Sequence, residues 1–87
     1  MKIFTTPRFE KRLKLFLSSH PYFKNTLKEK MKMISDNPFD TSLGTHKLSG
    51  ILKDCFAAKI THNYRIIFTI DKDELCFIDI GSHDQIY

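Results

Sequence analysis

No apolar run in the 87-residue sequence approaches the roughly 18 residues that a membrane-spanning helix needs, and no stretch has the make-up of a signal peptide. The expectation is a cytoplasmic protein with no membrane partner. Cysteine is scarce: Cys55 and Cys76 sit in apolar runs without CxxC spacing, so each reads as a small buried hydrophobe rather than half of a disulfide. Repeats, linkers and low-complexity segments are absent. The four histidines show no paired ligand spacing, so neither a metal site nor a cofactor is expected. Tryptophan is missing as well, which leaves eight Phe and three Tyr to supply the aromatic core.

What is present suits one globular domain over residues 1–87. Hydrophobic residues make up 41% and charged residues 28%, too apolar a balance for disorder. The net charge of +4 is unevenly spread. Residues 1–34 carry nine Lys/Arg against two Glu, whereas residues 35–87 carry five against eight Asp/Glu. Such a one-sided basic surface suits nucleic acid or an acidic partner, or simply solvates two helices.

"KIFTT" opens as a short strand. Thr6-Pro7 then reads as an N-cap followed by proline at the first helical position. Phe9, Leu13, Phe16 and Leu17 form one apolar stripe of a helix. "SSHP" breaks it, and Pro21 starts a second helix with Leu27, Met31 and Ile34 on one face. Pro38 ends that helix near Asn37. "CFAAKI", "YRIIFTI" and "LCFIDIG" follow as three antiparallel strands.

Parity fixes the first hairpin. Tyr64, Ile66, Phe68 and Ile70 share one face, and Phe56, Ala58 and Ile60 form the apolar set of the preceding strand. Joining the two sets requires an odd-length loop, most simply Thr61-His62-Asn63. Ile60 then faces Tyr64, Ala58 faces Ile66, and Lys59 stands opposite Arg65 on the other face. Like charges across a ladder are unfavourable by about 0.2–1 kcal/mol. An anion between them would relieve the repulsion, as would two long side chains diverging into water.

The order of these pieces resembles the RelE/ParE superfamily, the toxins of bacterial and archaeal type II toxin–antitoxin systems. The resemblance rests on the basic helical pair, "HKLSG", "AAKITHNYRIIFTID" and the closing "FIDIGSHDQIY", and it covers almost the whole chain. It is nearest to the histidine-bearing RelE/YafQ-like mRNA interferases. The resemblance implies an α+β fold of order β-α-α-β-β-β. An N-terminal strand and a helical hairpin would pack on one face of a small twisted antiparallel sheet, leaving the other face concave and polar.

Two activities exist in the superfamily: metal-free cutting of mRNA in the ribosomal A site, and poisoning of DNA gyrase without a nuclease site. For the first, the resemblance assigns Arg65 to the scissile phosphate, His83 to acid or base work, and Tyr87 to stacking on the nucleotide. It places His46 as a loop histidine of the site, with Lys47 and Lys59 adding positive charge. It also implies a cognate antitoxin, which alone would link the toxin to operator DNA. Arginine forks suit phosphate, and histidine transfers protons near neutral pH. The residues alone leave other roles open: His46 as an idle loop histidine, Lys47 and Lys59 as surface charges, and Arg65 paired with Asp79. His62 is read as an idle loop histidine, and Asn63 stands where some relatives carry an acidic residue. A binding module without activity is a third reading of the chain.

Overall fold

Thr6 closes one element and opens the next. Its hydroxyl accepts the Phe9 amide at 3.0 Å, and Pro7 occupies a position where a missing N–H costs nothing. The computed structural model, which describes residues 1–86, accordingly passes from strand β1 (Lys2–Thr5) directly into helix α1 (Pro7–Ser19). Pro21 restarts the chain through a single 3₁₀ turn, Pro21–Phe23, which leads into α2 (Lys24–Asp36). That helix stops at Asn37, where the following proline disfavours helical backbone. Phe9 and Phe16 of α1 and Leu27 and Ile34 of α2 are buried, with Leu13, Leu17 and Met31 packed at their margin.

After α2, the chain forms β2 (His46–Lys47), β3 (Phe56–Lys59), β4 (Tyr64–Asp71), β5 (Glu74–Ser82) and one helical turn, α3 (His83–Ile86). The strands lie in the order β1-β5-β4-β3-β2. The α+β layout and the three-strand meander are as expected. The sheet differs in two respects. It gains β2 as an edge strand, and β1 runs parallel to β5, pairing Lys2 with Glu74 through Thr5 with Phe77. The last strand of a meander has an open outer ladder, and β1 covers its first half.

The β3–β4 hairpin follows the parity argument residue by residue. Phe56 opposes Phe68, Ala58 opposes Ile66, and Lys59 opposes Arg65. The Ile60 amide donates to the Tyr64 carbonyl at 3.0 Å, closing the loop Thr61-His62-Asn63. Ala58, Ile66 and Phe68 join the helices in the main core, which leaves Lys59 and Arg65 on the open face.

β5 does not keep its alternation. Leu75 and Phe77 face the helices, so strict period two would bury Asp79 next. A bulge intervenes: Phe68 opposes Phe77, but Ile67 opposes Asp79, and Ile78 is the extra residue. Ile80 therefore enters the core instead. Asp79 turns to α1, accepting from Arg12 Nε at 3.1 Å and from Arg8 Nη2 at 3.3 Å. Its Oδ1 also accepts the Ile80 amide at 2.8 Å. Arg12 Nη2 donates to the Ile80 carbonyl at 3.3 Å, so one guanidinium covers the stretch of β5 edge that β1 no longer reaches. The Arg65–Asp79 ion pair allowed by the sequence is not formed, because Asp79 is taken from the helix side.

The open face is less polar than the resemblance implied. Leu48, Cys55, Ala57 and Ile67 form a second buried cluster there, joined by Leu52, Ile78 and Ile86. Burial, with Asp54 adding to it, pushes the Cys55 thiol above its ordinary range. Cys76 is only half-buried, which corrects the expectation for that residue. No helix of the described residues is long and apolar enough to cross a membrane.

Asp79 is thus the bolt between α1 and the bulged half of β5. Asp79→Ala should lower unfolding stability by about 2 kcal/mol, the scale of a lost charge-assisted bond, with exposed Arg8 adding little. Urea denaturation measures it. An unchanged midpoint would show that Arg12 is equally well satisfied by water.

Candidate active site

Arg65 is the second residue of β4, and its backbone is anchored from behind by Tyr64 on the opposite face. The Tyr64 hydroxyl lies 2.9 Å from His20 Nε2, whose Nδ1 lies 3.0 Å from the Phe16 carbonyl. With Nδ1 donating to that carbonyl, Nε2 accepts from the tyrosine. Phe16 packs edge-on against the Tyr64 ring at 5.1 Å. The start of β4 is therefore stapled to the end of α1.

In front, the Arg65 guanidinium is gripped along one edge. Nη1 donates to the carbonyls of Thr61 and His62, each at 2.9 Å, and of Tyr64 at 3.1 Å. Nε and Nη2 make no hydrogen bond among the described residues. One edge of the fork is fixed to the loop, leaving donors for an incoming anion.

The same loop holds the C-terminal turn, since the Asn63 carbonyl accepts the His83 amide at 3.4 Å. His62, Asn63, Arg65, Ser82, His83 and Asp84 line one open cleft. His83 opens α3, with Nδ1 3.8 Å from Asp84 Oδ1 and both side chains largely in water, a weak pair. The turn itself is well tied. Ser82 N–H donates to Gln85 Oε1 at 2.9 Å, and Gln85 N–H donates to Ser82 Oγ at 3.2 Å. This reciprocal S-x-x-Q capping box was present in "SHDQ". Ile86 adds an apolar anchor in the second cluster. Gly81 lets the turn fold this closely: a Cβ there would lie 2.8 Å from Gln85 Oε1 and 3.0 Å from Arg12 Nη2.

Lys59 and Arg65 oppose each other, but their side chains splay. While Arg65 turns to its loop, the Lys59 stem passes over Gly44, whose φ of +59° and missing Cβ leave room for Lys59 Cε. His46 Nδ1 lies 3.3 Å from the Gly44 carbonyl. His46 opposes Ala57, so it shares the open face with Lys59 and Arg65. It stands two strands away and one step along, roughly 12 Å from Arg65 between Cα atoms at standard sheet spacings.

The structure thus brings Arg65 and His83 together, with Lys59 across the ladder and His46 farther along the same face. Lys47 opposes Phe56 and belongs to the helix side, so it does not join them. Tyr87 lies outside the described residues. His62, set aside in the sequence, lines the cleft, as do Ser82 and Asp84. The signal for His62 was the odd-length loop itself, which puts its middle residue beside Arg65. Among the described residues, no cluster of three or more His, Cys, Asp or Glu could hold a metal ion.

Comparison with known proteins identifies the family and the fold. Residues 1–87 match the family described as the bacterial toxin of type II toxin–antitoxin systems, YafQ. The crystal structure of YafQ from E. coli strain BL21(DE3) superposes with a TM-score of 0.86 at 22% identity, over 99% of this chain and 97% of that one. YafQ in the E. coli DinJ–YafQ complex superposes at 0.83, with 22% identity and coverage of 99% and 97%. A YoeB/ParE toxin from Agrobacterium tumefaciens superposes at 0.80, with 15% identity and coverage of 95% and 99%. No curated protein matches the chain.

The capping box should hold His83 in place at a measurable strength. Gln85→Ala is expected to cost about 1 kcal/mol locally, read as roughly fivefold faster amide exchange at Ser82. Unchanged exchange would mean that Ile86 and the Asn63 carbonyl hold the turn without the box.

Proposed function

The chain belongs to the YafQ family of bacterial toxins from type II toxin–antitoxin systems, and on that premise we propose that it is a metal-independent, ribosome-dependent mRNA endonuclease. The observation that carries this reading is the Arg65 guanidinium, held on one edge by loop carbonyls and sharing a cleft with His83. A gyrase inhibitor without chemistry needs no such pairing.

In the proposed reaction, the 2′-hydroxyl gives up its proton and O2′ bonds to the adjacent phosphorus. The bond from phosphorus to O5′ breaks and O5′ receives a proton, leaving a 2′,3′-cyclic phosphate and a 5′-hydroxyl. Arg65 meets the negative charge that builds on the phosphorane oxygens. His83 transfers one of the two protons, work worth about 10²–10⁴-fold in rate. Lys59, leaning over Gly44, supplies a second cation beside the cleft, for a neighbouring phosphate. His46, farther along the face, contacts a neighbouring nucleotide, and Tyr87 stacks on a base. Lys47 contributes charge only at the flank. The ribosomal A site supplies the substrate positioning that a small open cleft lacks.

The partners in this reading are a cognate antitoxin, the ribosome and its A-site mRNA, with operator DNA reached only through the antitoxin. E. coli YafQ assembles with DinJ, and a nuclease toxin must be neutralised in the cell that makes it. Nine of the fourteen Lys and Arg residues precede Ser35; of these, Arg8 and Arg12 reach the β5 edge at Asp79, and seven others remain on β1, α1 and α2. Ribosomal RNA, a polyanion bound through Lys and Arg and released by salt, suits those cations. The expected location is the cytoplasm, where translation takes place.

The test is translation of one defined mRNA with added protein, with and without ribosomes, mapping new 5′ ends by primer extension. Cuts at A-site codons should depend on ribosomes and fall at least about 10²-fold in Arg65→Ala and His83→Ala, with both variants folded. Full cutting by both variants would overturn the assignment. No cuts from the wild type, together with DNA damage in cells, would replace it with gyrase poisoning.

A further inference from the structure

We propose that His62 is a second proton-transfer group of the Arg65 cleft, working with His83 on either side of the scissile phosphate. The inference rests on the nuclease reading and adds a residue to it.

Its basis is the loop Thr61-His62-Asn63. Two of its carbonyls, those of Thr61 and His62, hold Arg65 Nη1 at 2.9 Å. The third, Asn63, accepts the His83 amide at 3.4 Å. Three consecutive peptide units thus set the positions of the guanidinium and the C-terminal histidine relative to each other. His62 is the middle residue of that loop, is exposed, and lines the same cleft. The arrangement is built before any substrate arrives.

Displacement at phosphorus needs a proton removed from O2′ and another delivered to O5′ on the opposite side. His83 can serve only one side at a time. The charged and titratable groups lining the cleft are Arg65, His83, Asp84 and His62. Arg65 stays protonated and is tied to the loop. Asp84 follows His83 on the same turn and faces its ring at 3.8 Å, so it stands on the side His83 already serves. His46 is two strands away and Lys59 leans over Gly44, so neither lines this cleft. His62 is the remaining group on the other strand end.

One imidazole, neutral, takes the 2′ proton as O2′ bonds to phosphorus. The other, protonated, gives its proton to O5′ as that bond breaks. The two rings end with their protonation states exchanged, and water restores them. Both states are accessible because imidazole changes charge near neutral pH.

The experiment measures ribosome-dependent cleavage rate against pH for the wild type, His62→Ala and His62→Gln. Both variants keep the backbone carbonyl that binds Arg65. The wild type should give a bell-shaped profile; each variant should lose about 10²-fold at the optimum and one limb of the bell, with no rescue by glutamine. Circular dichroism verifies the fold. Variants that cut like the wild type, with the bell intact, would overturn the proposal while leaving the nuclease reading in place. If the wild type itself cuts nothing, the nuclease reading fails separately. The ring resonances of His62 and His83 are then followed by NMR during titration with adenosine 3′-monophosphate. Shifts in both rings support a shared phosphate cleft, and a stationary His62 ring overturns it.

Discussion

The three-residue connection between β3 and β4 is the constraint on which the rest of the site depends. An even-length loop would rotate one strand's side chains to the wrong face, burying Lys59 and exposing Ala58. With Thr61-His62-Asn63, the apolar sets meet in the core and two cations are left opposed on the open face. The free protein accommodates them by divergence: Lys59 over a glycine, Arg65 onto carbonyl dipoles. The loop that forces the repulsion also supplies the oxygens that orient Arg65. Register, electrostatics and the cleft therefore have one origin.

A second constraint works from the other end of the sheet. The bulge at Ile78 shifts β5 by one residue, so that Ile80 enters the core and Gly81 faces Arg65 across the ladder. Asp79, moved out of the core, is bonded to Arg12, and Arg12 in turn donates to the Ile80 carbonyl. Beyond Gly81, the Ser82–Gln85 box folds the last turn back onto the open face, where Ile86 seats beside Ile67 and Ile78. His83 is thus carried on a short helix secured by a cap, a loop carbonyl and an apolar contact. A C-terminal segment would otherwise fray.

Much of this was legible in the sequence because it follows from local chemistry. Thr6-Pro7 marks a helix start, Pro38 marks a helix end, and alternation in "YRIIFTI" allows only one loop parity. The parallel pairing of β1 was not legible, since strands far apart in the chain leave no turn signal between them. Nor was the bulge: "LCFIDIG" reads as clean alternation until Asp79, and only the charge of that residue hints that period two must fail. The open face was expected to be polar, but Leu48, Leu52 and Ile86 come to it from loop and tail segments with no periodicity to read. His62 is not legible as a site residue because a loop histidine has no partner in sequence. Its partner is a guanidinium three residues on, bonded through the backbone. Adjacency in sequence suggests that Lys47 joins His46, but adjacent residues of a strand point to opposite faces.

In the proposed reading, Lys59 and Arg65 are opposed across one ladder to receive neighbouring phosphates of one backbone, at some cost to the stability of the free protein. The most direct measurement is thermal unfolding of the wild type and Lys59→Met, alone and with a short oligoribonucleotide made uncleavable by 2′-deoxy substitution. Alone, Lys59→Met should be the more stable by several tenths of a kcal/mol, the scale of one cross-strand like-charge pair. With the oligonucleotide, the wild type should gain the larger increase in melting temperature. A variant no more stable alone, and equally stabilised by the oligonucleotide, would show that Lys59 neither repels Arg65 nor binds phosphate.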